Sequence, residues 1–275
     1  MRTALCIGIN DYPGTGSDLA GCVNDAQDWA QALTDRKFSA SLMIDSEATR
    51  SEMVRAMTSI VTGAESGDTA VITYSGHGTW QPDDDADEPD MRDEALCPYD
   101  LSTNGPLLDD DLFEIFAQRT RGARVVFLSD SCHSGSVTRV GPVLGGEEHR
   151  RIRFLPPGPF LSDDNLVRAR KVEKAPAQGL SRGTALLISG CMDTEYSYDA
   201  SFGNRPNGAF TRVALDTLSK LGAQATYAEW HRAIRAALPS ADYPQTPQLM
   251  ASRHQRQWPV LVSCILSSLP NSDHV

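Results

Sequence analysis

The stretch "RVVFLSDSCHSGS", Arg124 to Ser136, runs four apolar residues into serine, aspartate, cysteine and histidine. "VVFL" (125–128) is too short for a helix and reads as a buried strand of a parallel sheet. A second run, "AVITY" (70–74), has the same form and leads into Ser75, Gly76, His77 and Gly78. In parallel α/β sheets, reacting groups gather beyond the carboxyl ends of the strands. If these two strands are neighbours, a thiol and an imidazole share one space, which is the arrangement of a nucleophile and its base. Cys132 is then the nucleophile and His77 the general base and acid, and a nearby imidazolium raises the thiolate fraction. The backbone N–H groups of Gly78 and Cys132 are candidates for an oxyanion hole, and Gly76 and Gly78 leave room for a substrate backbone. His133 is a competing base, but neighbours in an extended segment point in opposite directions, so it ranks behind His77. Taken singly, a cysteine after a strand is packing material and a histidine between glycines is a turn residue.

Further short apolar runs at "ALCIGI" (4–9), "ALLIS" (185–189) and "VLVSCIL" (260–266) read as strands. Helical stripes lie between them: Val23, Ala26, Ala30 and Leu33; Met53, Met57, Ile60 and Val61; Phe210, Val213, Ala214, Thr217 and Leu218; Trp230, Ala233, Ile234 and Ala237. Thr49 with Glu52 and Thr226 with Glu229 open two of them as capping boxes. Alternating strands and helices give an α/β fold with a mostly parallel sheet. Two segments break the rhythm. "DDDADEPDMRDE" (83–94) carries eight acidic side chains in twelve residues and reads as a loop. From Arg139 to Arg182 the chain is rich in Gly, Pro and bases, a long loop of the functional or disordered kind.

The 275 residues, 40% of them hydrophobic, suffice for one globular domain with a substantial core. A net charge of −11, from 25 basic and 36 acidic residues, argues against a nucleic-acid ligand. Six cysteines without a Cys-x-x-Cys pair suit free thiols in a reducing compartment. With neither a signal peptide nor a membrane-spanning run, the expected location is the cytoplasm.

"YSGHG" (74–78) and "DSCHSG" (130–135) resemble the histidine and cysteine motifs of the caspase-like cysteine peptidases, specifically the metacaspases and their prokaryotic relatives. "LAGCVNDA" (19–26), "DEALCPYD" (93–100), "ISGCMDTEYSYD" (188–199), "NGAFT" (207–211) and "QTPQL" (245–249) extend the resemblance over nearly the whole chain. It implies a caspase-hemoglobinase fold with a sheet of about six strands. A large-subunit-like region would span 1–137, an intersubunit-type basic loop 138–182 and a small-subunit-like region 183–275. It also implies hydrolysis of peptides through a thioester on Cys132, after arginine or lysine. Asp25 and Asp130 match the family's acidic primary-specificity pocket, joined by Cys22 and Ser75; two converging carboxylates would favour a guanidinium. Without the family, Asp25 reads as a first-turn carboxylate at a helix N-terminus. Arg150, Arg151, Arg153, Arg168, Arg170, Lys171 and Lys174 lie where caspase-like zymogens are cut, so the enzyme would process itself there; a solvated, disordered insert is the plainer reading. Many metacaspases need calcium, and Asp93, Asp109 and Asp110 resemble their ligands, whereas Arg139 stands where a further acid is usual. Helix capping is the plainer role for Asp109. Expected partners are protein substrates, an upstream activating protein in a defence or cell-death setting, and no second subunit. The rival readings are a caspase-fold peptidase with another primary specificity and a non-catalytic acidic α/β binding or scaffold module.

Overall fold

The computed structural model describes residues 1–82, 92–132, 150–158, 160–161, 165–166, 169, 184–192 and 194–262. Its centre is a six-stranded sheet. Strands β1 (Arg2–Gly8), β2 (Ser39–Ile44), β3 (Thr69–Ser75), β7 (Arg124–Asp130) and β9 (Leu186–Ser189) run parallel, and β12 (Gln248–Met250) closes one edge antiparallel. The order is β12-β9-β7-β3-β1-β2, so β3 and β7 are neighbours, registered from Thr69 opposite Arg124 to Ser75 opposite Asp130. The fold is the caspase-like α/β architecture.

Strand alternation divides the core between two faces. Leu5, Ile7, Val125 and Phe127 point to the side covered by α2 (Arg50–Thr62) and α4 (Asp109–Ala117), where Met53, Met57, Val61, Leu112 and Phe116 are buried. Ala4, Cys6, Val126 and Leu128 point to the other side, against α1 (Cys22–Asp35), α5 (Ala209–Lys220) and α6 (Tyr227–Ala237). Trp29 on α1 meets Trp230 on α6 edge-on, with centroids 6.2 Å apart. The Thr226–Glu229 capping box forms reciprocally, whereas at Thr49 the structure gives the hydroxyl-to-Glu52 N–H half. The short helix α3 is Leu101–Asn104.

Two small antiparallel sheets stand beyond the strand ends. One joins β4 (Gly78–Pro82), β5 (Arg92–Leu96) and β6 (Leu107–Leu108); the other joins β11 (Arg205–Gly208), β10 (Tyr198–Phe202) and β8 (Arg151–Ile152).

Three expectations are corrected here. Arg92, Asp93 and Glu94, read as the end of an acidic loop, are buried residues of β5, paired to β4 and with the Arg92 guanidinium stacked 4.4 Å from the Trp80 ring centroid. The strand expected at 260–266 is a turn over Val260 to Val262, with Leu261 buried and at φ 54°; its remainder lies outside the described residues. Arg150 to Leu155, read as part of a solvated insert, carries β8 and is docked on the body of the protein. Among the described residues no helix is long and apolar enough to cross a membrane, and the five described cysteines are free.

Candidate active site

Each half of the site is built by a strand end. After β3, the His77 backbone is held on both sides: its N–H donates to the Tyr12 hydroxyl at 2.8 Å, and its carbonyl accepts from the Tyr74 hydroxyl at 2.6 Å and the Cys97 N–H at 3.0 Å. A side chain at Gly76 would meet both tyrosine hydroxyls at 2.5 Å. The space kept by that glycine is therefore filled by the tyrosines, not by substrate, which corrects the expectation for Gly76.

The His77 ring is buried. Nε2 lies 2.6 Å from the Ser17 carbonyl, an acceptor only, so Nε2 carries the proton. Nδ1 is left as the basic nitrogen, buried without a partner among the described residues. Burial lowers the His77 pKa to about 4, against the raising effect of the Ser17 carbonyl. The imidazole is neutral at pH 7, which leaves Nδ1 unprotonated.

After β7, Cys132 is fully buried and its thiol donates to the Ser197 carbonyl at 3.8 Å. Its backbone N–H donates to the Arg153 carbonyl at 3.2 Å, and the N–H of Gly78 donates to the same oxygen at 3.0 Å. The two expected oxyanion donors thus converge on one carbonyl, and that carbonyl belongs to the chain itself.

The side chain of Arg153 occupies the acidic pocket. Its guanidinium reaches Asp25 at 2.6 Å, Asp199 at 3.0 Å and Asp130 at 3.2 Å, with a further bond to the Asp130 backbone carbonyl at 3.1 Å. All four side chains are at most 3% exposed. Every carboxylate is also held from behind. Asp25 accepts from Asn207 Nδ2 and Gly208 N–H, each at 3.0 Å, and Asp130 accepts from the N–H and hydroxyl of Thr211 at 2.9 and 2.8 Å and from the Ser197 hydroxyl. Asp199 accepts from Ala20 and Gly21 N–H at 2.8 and 3.0 Å. The carboxylate satisfying the backbone just before α1 is therefore Asp199, while Asp25 in the first turn faces the pocket. A Cβ at Gly208 would overlap Asp130 and Arg153, so the wall must be glycine there.

Three carboxylates around one cation leave an excess of negative charge. Burial raises the Asp25 pKa to about 7, with Arg153 opposing and Asp130 reinforcing the rise. Burial works against the charge of Arg153, but Asp130, Asp25 and Asp199 outweigh it and keep it protonated. Cys22 sits close enough to feel the Arg153 charge, and burial pushes its thiol up. Ser75 is buried next to Asp130 by register.

Arg151 and Ile152 pair antiparallel with Asp199 and Tyr198, adding a strand to β10, and the Arg153 N–H donates to the Ser197 carbonyl at 2.9 Å. Arg150 and Arg151 are exposed and donate to the carbonyls of Asp242 and Asp18. Arg168, Arg170, Lys171, Lys174, Arg139 and His133 lie outside the described residues. The expected calcium donors are Asp93 on β5, facing Gln81 at 3.4 Å, and Asp109 and Asp110 opening α4. Among the described residues no three His, Cys, Asp or Glu side chains form a group that could hold a metal.

Sequence reasoning did not single out Asp199, Asn207, Ser197 or Ser17. The first three fall inside the stretches "ISGCMDTEYSYD" and "NGAFT", whereas Ser17 contributes a backbone carbonyl, which leaves no side-chain signal.

Known proteins are similar to this chain over most of its length. The chain is similar to a metacaspase-1 of Cryptococcus neoformans, 32% identical over 96% of this chain and 65% of that one. It is similar also to metacaspase-1 of Mycosarcoma maydis, 30% identical over 91% and 70%. It thus spans about two thirds of these relatives' length. In solved structures, protein GSU0716 from Geobacter sulfurreducens matches with TM-score 0.73 and 29% identity, over 95% of this chain and 98% of that one. Residues 2–140 match the metacaspase, peptidase C14 domain, and with relatives at this level over most of its length the chain belongs to the metacaspase family.

Proposed function

We propose that the protein is a cysteine endopeptidase that cuts after arginine, with lysine as the weaker alternative, and that Arg153–Phe154 is its self-processing bond. One observation carries the reading: the Arg153 side chain fills a pocket of three carboxylates while its carbonyl accepts from the N–H groups of Gly78 and Cys132. Pocket-filling side chain and carbonyl belong to one residue, whose carbonyl accepts from the backbone N–H of the nucleophile Cys132, and an acidic residue in the same pocket would meet like charge.

In the proposed mechanism, neutral His77 accepts the thiol proton of Cys132 at Nδ1 while the Ser17 carbonyl holds Nε2–H and so fixes the ring. The thiolate turns from the Ser197 carbonyl and attacks the carbonyl carbon. The developing oxyanion is stabilised by the Gly78 and Cys132 N–H groups. Collapse breaks the C–N bond, the departing amine takes the proton from Nδ1, and water then hydrolyses the thioester.

Fluorogenic peptides ending in Arg, Lys or Asp, given to the wild type and to Cys132→Ala with calcium and then with chelator, test this directly. Arg cleavage lost in the variant is the expected result, and the chelator lane decides whether calcium acts on the chain. Mapping the new N-terminus of purified wild type should yield Phe154. Cleavage after Asp, or wild-type processing only at other bonds, would overturn the reading. Absence of any Cys132-dependent hydrolysis would favour the binding-module alternative.

A further inference from the structure

We propose that the groove carries a second specificity pocket on the leaving side, which takes an aliphatic residue two places past the cut, so that preferred substrates have the form Arg, any residue, Leu. This rests on the reading of Arg153 as the residue before the cut. Gly78 sets the spacing. Its N–H bonds the Arg153 carbonyl at 3.0 Å, and its own carbonyl accepts the N–H of Leu155 at 2.9 Å. A chain with its scissile carbonyl between Gly78 and Cys132 therefore brings its residue two places on to the Gly78 carbonyl.

What receives that residue is apolar and closed. Leu155 is 0% exposed and belongs to the buried cluster that includes Leu96, Cys97, Leu101 and Leu107. Leu96 is the registered partner of Gly78 across β4 and β5, and the Cys97 N–H bonds the His77 carbonyl, so the receiving wall is fixed to the catalytic histidine. The neighbouring positions are read differently. Phe154 is half-buried and lines an open cavity of about 720 Å³ with Ser17, His77 and Tyr198, which leaves the first position past the cut tolerant. Arg150 and Arg151 are exposed and meet backbone carbonyls, which lets them vary at small cost. Among the described residues 150–158, only Leu155 is as deeply enclosed as Arg153. Full burial of a leucine side chain corresponds to about 10- to 100-fold in kcat/KM, and burial of an unpaired carboxylate at that point to more.

The test uses the wild-type chain and internally quenched peptides spanning the cut: Arg-Phe-Leu, Arg-Phe-Ala and Arg-Phe-Asp, with Arg-Ala-Leu as the control for the intervening position. Self-cleavage at Arg153–Phe154 is followed in parallel in full-length Leu155→Met, Leu155→Ala and Leu155→Asp, each checked for folding by its melting transition. The expected order is Leu over Ala by about 10-fold or more, with Asp slowest, and little change between Phe and Ala at the intervening position. Self-cleavage should fall in the order Leu, Met, Ala, Asp. Equal rates for Leu, Ala and Asp peptides, with Arg still required before the cut, would overturn the second pocket and leave the proposed function standing. Loss of the Arg requirement would overturn the function itself. Should external peptides be refused by the self-docked chain, equal self-cleavage in folded Leu155→Asp overturns the pocket by itself.

Discussion

Replacing Arg153 by alanine in a Cys132→Ala background, where no processing complicates the comparison, should destabilise the protein by an amount the pocket itself sets. The guanidinium and its three carboxylate partners are at most 3% exposed, so solvent does not screen the loss. Removing one partner of such a buried arrangement costs about 3–5 kcal/mol. At a few degrees per kcal/mol for a chain of this size, the melting temperature falls by about 6–20 °C. The loss has a built-in pH signature. Asp25 titrates at about 7 even with the cation present, so without Arg153 it moves higher and part of the excess charge is relieved by protonation as pH falls. The deficit should therefore be smaller at pH 6 than at pH 8. A guanidinium or amidine ligand should restore stability to the variant and not to the parent; at a hundred times its dissociation constant it returns about 2.7 kcal/mol. Scanning calorimetry across pH, with and without ligand, measures all three effects. A variant that melts within about 2 °C of its parent at pH 8 and ignores the ligand would refute the seating of Arg153 among the carboxylates.

Asp25→Asn should lower kcat/KM for Arg peptides by about 30-fold or more, since it removes one charged partner of a buried cation, and the companion Lys peptides in the same assay should keep their lower rank. In wild type, kcat/KM for Arg peptides should climb from pH 6 to 8, because substrate binding needs the Asp25 carboxylate and burial raises that group to about 7 even beside a cation, and higher in the empty pocket that kcat/KM reports on; a flat profile from pH 6 to 8 would contradict the assignment. The unfolded chain binds the His77 proton more tightly than the folded one between pH 6.5 and about 4, so stability is lost as pH falls through that window, and His77→Gln in the Cys132→Ala background should melt with less acid sensitivity there. Tyr74→Phe leaves the His77 and Cys97 carbonyls without their shared donor and should cost about 1–3 kcal/mol in denaturant titration, with kcat reduced more than KM is raised.

The parts of the fold legible in the sequence are those where burial is symmetrical. β3 and β7 are covered on both faces, so their apolar runs are continuous, and their reactive ends stand out because nothing apolar follows. β2 escaped notice for the opposite reason: as an edge strand it exposes Ser39, Ser41 and Leu42 and buries only Met43. β12 is three residues long and gives no period to read. The apolar run at 260–266 misled because hydrophobicity reports burial and not hydrogen bonding; Leu261 is buried within a turn. At the site, Cys132, His77, Asp25 and Asp130 were visible as side chains in motifs, while Asp199 is one acid among many and Ser17 acts through its backbone. Arg153 was one of seven candidate bases, and only the docking of its segment separates it from Arg150 and Arg151 beside it.

The pocket that would give the enzyme its specificity also makes the unoccupied site unfavourable. Asp25, Asp130 and Asp199 converge in a volume closed to water, and their supporting donors, Asn207, Gly208, Thr211, Ala20 and Gly21, are neutral. Neutral donors orient the carboxylates without cancelling their charge, so the arrangement is satisfied only when a cation enters or a proton does. In the structure Arg153 supplies that cation, and its carbonyl accepts from the Cys132 N–H. On the proposed reading, inhibition and stability are then one interaction: an external substrate must bring an equivalent cation to displace the segment, and a chain cut after Arg153 keeps the cation only as long as the new carboxyl terminus stays in place. Once the bond is cut, the Arg153 side is held by its guanidinium and strand pairing alone, without the chain connection to Phe154 and Leu155. Cutting the bond would thus weaken the hold of the inhibitory segment, and activation would follow.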